Sequence, residues 1–227
     1  MKFKALVLSA LLLVLTACDK ENPAATQPTV ETDADRFSYG LGMIIGERVL
    51  KQYGDVDYEL LLAGIKAQHK ETETLITLEE AGNALNAHME QAFANESEGN
   101  KKRGQDYLAS NATKEGVQST ASGLQYKVIT AADGAKPKAT DKVTVHYRGT
   151  LIDGTEFDSS YSRGEPASFA LNQVIPGWTE GVQLMNLGSK FQFVIPYELG
   201  YGERGAGGSI GPFETLIFEV ELLEIGS

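Results

Sequence analysis

The hydrophobic pattern changes period along the chain. An apolar run from Ala5 to Leu15 is followed by a polar stretch reaching about Asp33. Phe37, Leu41, Ile44, Ile45 and Val49 then fall on one helical stripe, ended by Tyr53-Gly54. Tyr58, Leu61, Leu62 and Ile65 predict a second short amphipathic helix. A third opens at Thr77-Leu78-Glu79-Glu80, a capping box in which Thr77 and Glu80 satisfy each other's backbone. Its stripe continues through Ala81, Leu85, Met89 and Ala92, after which polar residues dominate from Asn95 to Lys114. The second half of this long helix therefore has almost nothing to bury. Gly99 and Gly104 weaken it further, by about 1 kcal/mol each relative to Ala.

From about Ser119 the period becomes two. Leu124, Tyr126 and Val128 alternate, as do Val143, Val145 and Tyr147, then Phe191, Phe193 and Ile195, and lastly Leu216, Phe218, Val220 and Leu222. Asp153-Gly154 is a strong hairpin signal. Only Pro176 to about Leu187 reads as helix in this half, with proline in the first turn and Gly188 as the stop. The expected fold class is α+β: an N-terminal all-α domain with a long connecting helix, then a curved antiparallel sheet wrapped on one short α-helix.

The N-terminus changes the picture of where this fold works. Lys2 and Lys4, the apolar run and small residues before a cut site make a secretory signal, too short for a spanning helix of about 20 residues. Leu15-Thr16-Ala17-Cys18 looks like a bacterial lipobox, and Cys18 is the only cysteine. Lipidation at Cys18 would tie the mature chain to the inner or outer membrane, facing the periplasm, and Asp19 is a feature that in enteric bacteria favours the inner one. The expected segments are a signal at 1–17, a lipidated tether at 18–33, a helical domain at 34–95, a connecting helix at 96–118 and the sheet domain at 119–227. Three stripes totalling about 60 residues make a poor solitary core, so self-association through residues 34–95 is expected. Gly40, Gly42 and Gly46 either permit close helix approach there or are merely small surface residues.

Composition removes several function classes. Formal net charge is −11, and loss of Lys2 and Lys4 from the 20 basic residues leaves 18 against 31 acidic, or −13. That balance argues against nucleic acid, whose phosphates require Lys and Arg. His69, His88 and His146 show no metal-ligand spacing, so neither metal nor cofactor is expected. Gly207-Gly208-Ser209-Ile210-Gly211 is literally G-x-S-x-G, but Pro212 follows and no histidine lies after Ser209, so no hydrolase elbow forms.

Five ordered motifs carry a resemblance. Val143 to Gly149, Leu151 to Ser160, Val174-Ile175-Pro176-Gly177-Trp178, Ile195-Pro196 with Tyr201-Gly202, and Leu216 to Leu222 are similar to the FKBP family of peptidyl-prolyl isomerases. Phe37-Ser38-Tyr39-Gly40-Leu41-Gly42 resembles the dimerisation domain of that family's Mip/FkpA subgroup, which implies a homodimer through residues 34–95.

The resemblance implies a shallow apolar pocket for proline. Its walls would be Tyr147, Phe157, Phe169, Val174, Ile175, Tyr201, Ile210 and Phe218, with Trp178 as the floor and Asp158 and Arg163 at the polar rim. Ile175 N–H and the Tyr201 hydroxyl would hold substrate carbonyls. Asp158 would either meet the displaced carbonyl or orient the pocket through Tyr147 and Arg163. Rotation about X–Pro faces about 18–20 kcal/mol and breaks no bond, so a dry aromatic site suffices without a nucleophile. Two departures stand out: Ala167 replaces an aromatic found in many relatives, and Ala206 stands where histidine is common. Both bear on activity and on macrolide inhibitor binding. The expected partners are unfolded or proline-containing polypeptides. The rival reading is a periplasmic chaperone that binds unfolded chains with little catalysis.

Overall fold

A computed structural model describes residues 29–226, which form two compact units divided between Glu73 and Thr74. The signal, Cys18 and most of the tether lie outside the described residues.

In the first unit, helix α1 spans Asp33–Arg48 and α2 spans Tyr58–His69. Thr32 and Asp35 make a capping box at α1, and the Asp57 carboxylate accepts from Glu59 and Leu60 N–H at the start of α2. These contacts satisfy the amides that a helix start leaves without partners. The apolar stripes lie where periodicity puts them, yet neither helix buries a residue: Phe37 is 72% exposed and Tyr58 70%.

In the second unit, α3 spans Leu78–Asn111, with the Thr77/Glu80 capping box realised in both directions. In its first half Leu78, Leu85 and Met89 of the expected stripe are exposed, as is Phe93, which the stripe did not include. The expectation for its second half is overturned. Ser97, Asn100, Gly104 and Asn111 are its buried residues, a polar stripe at helical spacing that packs on the sheet domain. Asn111 donates to Gln125 Oε1 at 2.9 Å, and Gln125 returns an amide N–H to Leu108 O at 2.9 Å. Gly104 is a contact point rather than a weakness, because a Cβ there would stand 2.5 Å from Thr215 Oγ1.

Seven antiparallel strands follow: β1 (Val117–Ser119), β2 (Gln125–Thr130), β3 (Lys142–Leu151), β4 (Glu156–Ser159), β5 (Ala167–Ala170), β6 (Lys190–Ile195) and β7 (Leu216–Gly226). The order is β1-β2-β6-β7-β3-β4, with β5 sharing the same edge of β3 as β4. Alternation in β3, β6 and β7 sends Val143, Val145, Tyr147, Phe193, Ile195, Phe218, Val220 and Leu222 into one core. The alternation read in β2 fails at its far end. Val128 is exposed there, whereas Gln125 at the start of the strand is buried because its amide is claimed by α3.

Two short helices fall between the strands: α4 at Ser160–Arg163 and α5 at Pro176–Val182. Alternation and 3.6 periodicity give no sign of α4, a single turn capped by Ser159 Oγ and closed by Gly164 in the left-handed region. The expected helix to Leu187 stops at Val182. Leu184 and Met185 tighten into i→i+3 bonds, Met185 turns into the core, and Leu187 N–H goes to Ala135 O. Gly177 and Gly181 let α5 lie directly on β6, since a Cβ on either would approach Ile195 or Phe193 to under 3 Å. That close approach sets Trp178 at the centre of the sheet's concavity.

Candidate active site

Trp178 is 4% exposed and meets three rings edge to face. Tyr147 stands at 5.2 Å and 89°, Phe218 at 5.3 Å and 84°, and Phe169 at 5.5 Å and 81°. Phe157 extends the set against Phe218 at 5.4 Å and 83°. Each such pair contributes about 0.5–1.5 kcal/mol beyond area burial, so the floor is mutually locked. Above it opens a cavity of about 500 Å³. Tyr147, Phe157, Asp158, Phe169, Val174, Ile175, Trp178, Tyr201, Ile210 and Phe218 all line it, from five separate stretches of chain.

Arg163 is the one expected site residue absent from the cavity wall. It stands behind the rim at the end of α4, donating to Asp158 Oδ1 and, through Nη2, to the Tyr147 hydroxyl at 2.8 Å. The Tyr147 hydroxyl in turn donates to Asp158 Oδ2. The carboxylate thus has a donor on each oxygen.

Burial works to raise the Asp158 carboxyl, but hydrogen bonds from Tyr147 and Arg163 and the guanidinium charge outweigh it. The result lies below the ordinary value of 3.8, so Asp158 is ionised at neutral pH. Burial, then the hydrogen bond to Asp158, pushes the Tyr147 phenol above its ordinary 10.0; burial and the Asp158 charge do the same to Tyr201. Both phenols stay protonated.

Local chain geometry explains this placement. Ser159 caps α4, and Ser160 Oγ accepts from Tyr147 N–H at 2.8 Å while meeting His146 Nδ1 at 3.0 Å. The turn after Asp158 is therefore pinned to β3, leaving Asp158 to face the cavity. Ile175 opens α5: its carbonyl accepts from Trp178 and Thr179, and its own N–H meets no backbone acceptor among the described residues. Tyr201, which also lines the cavity, is 40% exposed.

Gln173, Ala206, Gly207 and Ser209 also line the cavity. Sequence reasoning marked Ala206 only as a departure and missed the other three. Gln173 adjoins the Val174-Ile175 motif, and Gly207 and Ser209 sit in the glycine-rich loop, which are the signals that point to them. Ala167 packs against the core rather than lining the cavity.

Aromatic walls, a carboxylate fixed by its neighbours and free amide and phenol donors give the cavity the chemistry to take a small apolar ring with carbonyls on either side. Residues 133–223 match the model of the FKBP-type peptidyl-prolyl cis-trans isomerase domain, and residues 34–128 that of the domain amino terminal to it. The chain is 49% identical over 212 residues to the FKBP-type 22 kDa peptidyl-prolyl cis-trans isomerase of Escherichia coli K12, covering 88% of this chain and 99% of that one. It is 42% identical over 210 residues to the outer membrane protein MIP of Legionella longbeachae, covering 89% and 90%. The crystal structure of FkpA from Escherichia coli superposes with a TM-score of 0.69 at 35% identity, covering 87% of this chain and 99% of that one. The chain belongs to the FKBP-type peptidyl-prolyl cis-trans isomerases.

Proposed function

We propose that this cavity accelerates X–Pro rotation in exported polypeptides by binding the twisted amide without covalent chemistry. The observation that carries the reading is the Trp178 floor ringed edge to face by Tyr147, Phe169 and Phe218. A prolyl ring lying on that floor brings its imide bond between the Ile175 amide and the Tyr201 phenol. Twisting the imide abolishes its resonance, and the planar form gains least from an apolar site. Ile175 N–H and Tyr201 O–H hold the flanking carbonyls, so that rotation is confined to one bond. Asp158, ionised and doubly hydrogen-bonded, either meets the rotating carbonyl carbon's positive end or keeps Tyr147 in place. It transfers no proton.

The same reading covers assembly and location. The unburied stripes of α1 and α2 and of the first half of α3 fit a second copy of this chain, with residues 34–95 as the dimerisation segment and 119–227 as the isomerase domain. Two cavities in one particle raise the effective concentration of site for a long client, which supplies chaperone capacity. Among the described residues no helix is long and apolar enough to cross a membrane. The Leu15-Thr16-Ala17-Cys18 motif supports anchoring through a lipid at Cys18, on the periplasmic side of a bacterial envelope.

The test is cis-to-trans relaxation of a short Leu-Pro peptide with protein lacking residues 1–18, beside Asp158→Ala. Acceleration that the variant weakens supports the proposal. No acceleration from folded protein overturns it in favour of a binding module.

A further inference from the structure

One side of the cavity is made by an irregular loop. Tyr201, Ala206, Gly207, Ser209 and Ile210 all belong to the segment between β6 and β7, with no strand partner. Inside the loop, Ala206 N–H reaches Ile210 O at 3.0 Å and Phe213 N–H reaches Gly202 O at 3.0 Å. Those bonds give the loop a shape but do not fix it to the body.

Ile210 packs on the core, and a second hold comes from behind, from α3. Asn100, 1% exposed, donates through Nδ2 to Pro212 O at 2.7 Å, and its Oδ1 accepts from Arg103. The next residue on α3, Lys101, sets its Nζ 3.8 Å above the Phe213 ring, which Tyr197 meets from another side at 5.0 Å and 71°. Phe213 has φ +55°, a left-handed conformation that costs a bulky residue free energy and persists only where its surroundings impose it. Ile210, 8% exposed in the cavity wall, lies two residues before Pro212.

We infer that Asn100, assisted by Lys101, is a positioning residue for the isomerase site. By holding Pro212 and Phe213 it keeps Ile210 and its neighbours in the wall that the substrate packs against. This rests on the reading that the cavity binds the prolyl substrate. It gives the polar half of α3 a role in binding, as the rear support of the substrate loop. The wall touches substrate and transition state alike, so loosening it raises KM and leaves kcat in place.

Asn100→Ala removes both bonds. Asn100→Asp is isosteric, keeps the acceptor for Arg103 and lacks the N–H for Pro212 O. Lys101→Gln removes only the cation above the ring. Ser97→Ala is the comparison, a buried hydroxyl on the same face with no hydrogen-bond partner among the described residues. The readouts are kcat and KM for a Leu-Pro peptide, and amide hydrogen exchange at Ile210 and Phe213 by NMR on the full-length chain without its leader.

Both Asn100 variants are expected to raise KM about three- to tenfold with kcat within about twofold, and to speed exchange at Phe213 by a similar factor. Lys101→Gln should do the same more weakly, about twofold, and it covers the case in which an Asn100 variant fails to fold. Ser97→Ala should leave all of these unchanged. Folded Asn100 variants with wild-type KM and wild-type exchange overturn the inference, as does an equal rise in KM from Ser97→Ala. An inactive wild type would instead sink the isomerase reading. Exchange at Phe213 would then still decide the support role, since acceleration in the Asn100 variants upholds it and none removes it.

Discussion

Gly149 stands opposite Phe218 in the ladder between β3 and β7, and a Cβ on Gly149 would come within 2.7 Å of both Phe218 Cε1 and Phe157 Cζ. β3 carries inward side chains at Val145 and Tyr147 and then a hydrogen where the next one belongs. That gap is what lets Phe157 and Phe218 meet edge to face beside the cavity. Gly149→Ala should push both rings off this geometry, at about 1–3 kcal/mol of stability. Peptide isomerisation should fall by roughly tenfold, equivalent to about 1.4 kcal/mol in the barrier. Trp178 is the only tryptophan, so its fluorescence reports the disturbance at the floor directly. Unchanged activity and emission in a folded Gly149→Ala protein would show that the two rings have room to spare.

Asp158 and Tyr147 act as a pair, and their variants should not be equivalent. Tyr147→Phe removes one donor from Asp158 but leaves Arg163 on the other oxygen. Asp158→Ala strands a phenol donor in a residue only 4% exposed and leaves the guanidinium bonded to the phenol oxygen alone, without its carboxylate. A stranded buried donor costs about 1–3 kcal/mol, so Asp158→Ala should lose roughly ten- to a hundredfold in kcat/KM and Tyr147→Phe less. The double variant should lose less than the two losses combined, since the groups share one interaction. Strict additivity would mean that Asp158 acts independently of Tyr147.

The pH profile follows from the same groups. Asp158 titrates below 3.8, and Tyr147 and Tyr201 above 10.0, so no group lining the cavity changes charge near neutrality. Peptide isomerisation should be flat from about pH 5 to 9. For stability, the depressed carboxyl contributes fully above its unfolded value of 3.8, and that contribution disappears as pH falls through the lower folded value. The raised phenols act oppositely: their contribution is complete below 10.0 and is lost as pH rises through the folded values. Denaturant midpoints of wild type and Asp158→Asn should therefore converge in acid and separate above it. A gap that persists unchanged into acid would contradict the assignment.

Much of this architecture was legible because it is written in apolar spacing or in ordered motifs. Tyr147, Phe193 and Phe218 point inward by alternation, Pro176-Gly177-Trp178 opens a helix as its proline suggests, and Thr77 with Glu80 caps α3. Ten of the motif-derived residues share one cavity because their strands converge on α5. What escaped has a common physical character. Asn100 and Asn111 are buried by hydrogen bonding and Gly104 by close approach, which leave no trace in a hydrophobicity pattern. The four-residue α4 is too short for periodicity, and Val128 shows that alternation does not say how far along β2 the cover reaches.

Assembly can be separated from catalysis by one charge. Leu41 is half exposed on α1, on the stripe that fits a second copy. Wild type should sediment at twice the chain mass, and Leu41→Glu, which would bury a charge in that interface, should sediment as a single chain. Activity on a short peptide should stay within about twofold, because the cavity is built entirely from residues after Thr74, while refolding yield of a long proline-rich client should fall as the second site is lost. A wild type that sediments as one chain would leave the unburied stripes to some other occupant.

Gly104 and Thr215 give the sharpest measure of how tightly α3 is joined to the sheet domain. In an exposed helix, glycine to alanine gains about 1 kcal/mol. Here the new Cβ would stand 2.5 Å from Thr215 Oγ1, and Thr215 is 1% exposed with a β-branched side chain that has little freedom to turn away. Overpacking of this kind costs about 1–3 kcal/mol, so Gly104→Ala should be net destabilising despite its better helix propensity. Thr215→Ala alone leaves a small void and should also destabilise. Combined, the new methyl enters the space that the lost hydroxyl vacates, and the helix keeps its propensity gain. The double variant should recover stability relative to Gly104→Ala, with a coupling of at least about 0.5 kcal/mol in urea denaturation. If Gly104→Ala instead raises the midpoint, α3 stands further from Thr215 in solution, and the support it lends to the loop carrying Ile210 weakens with it.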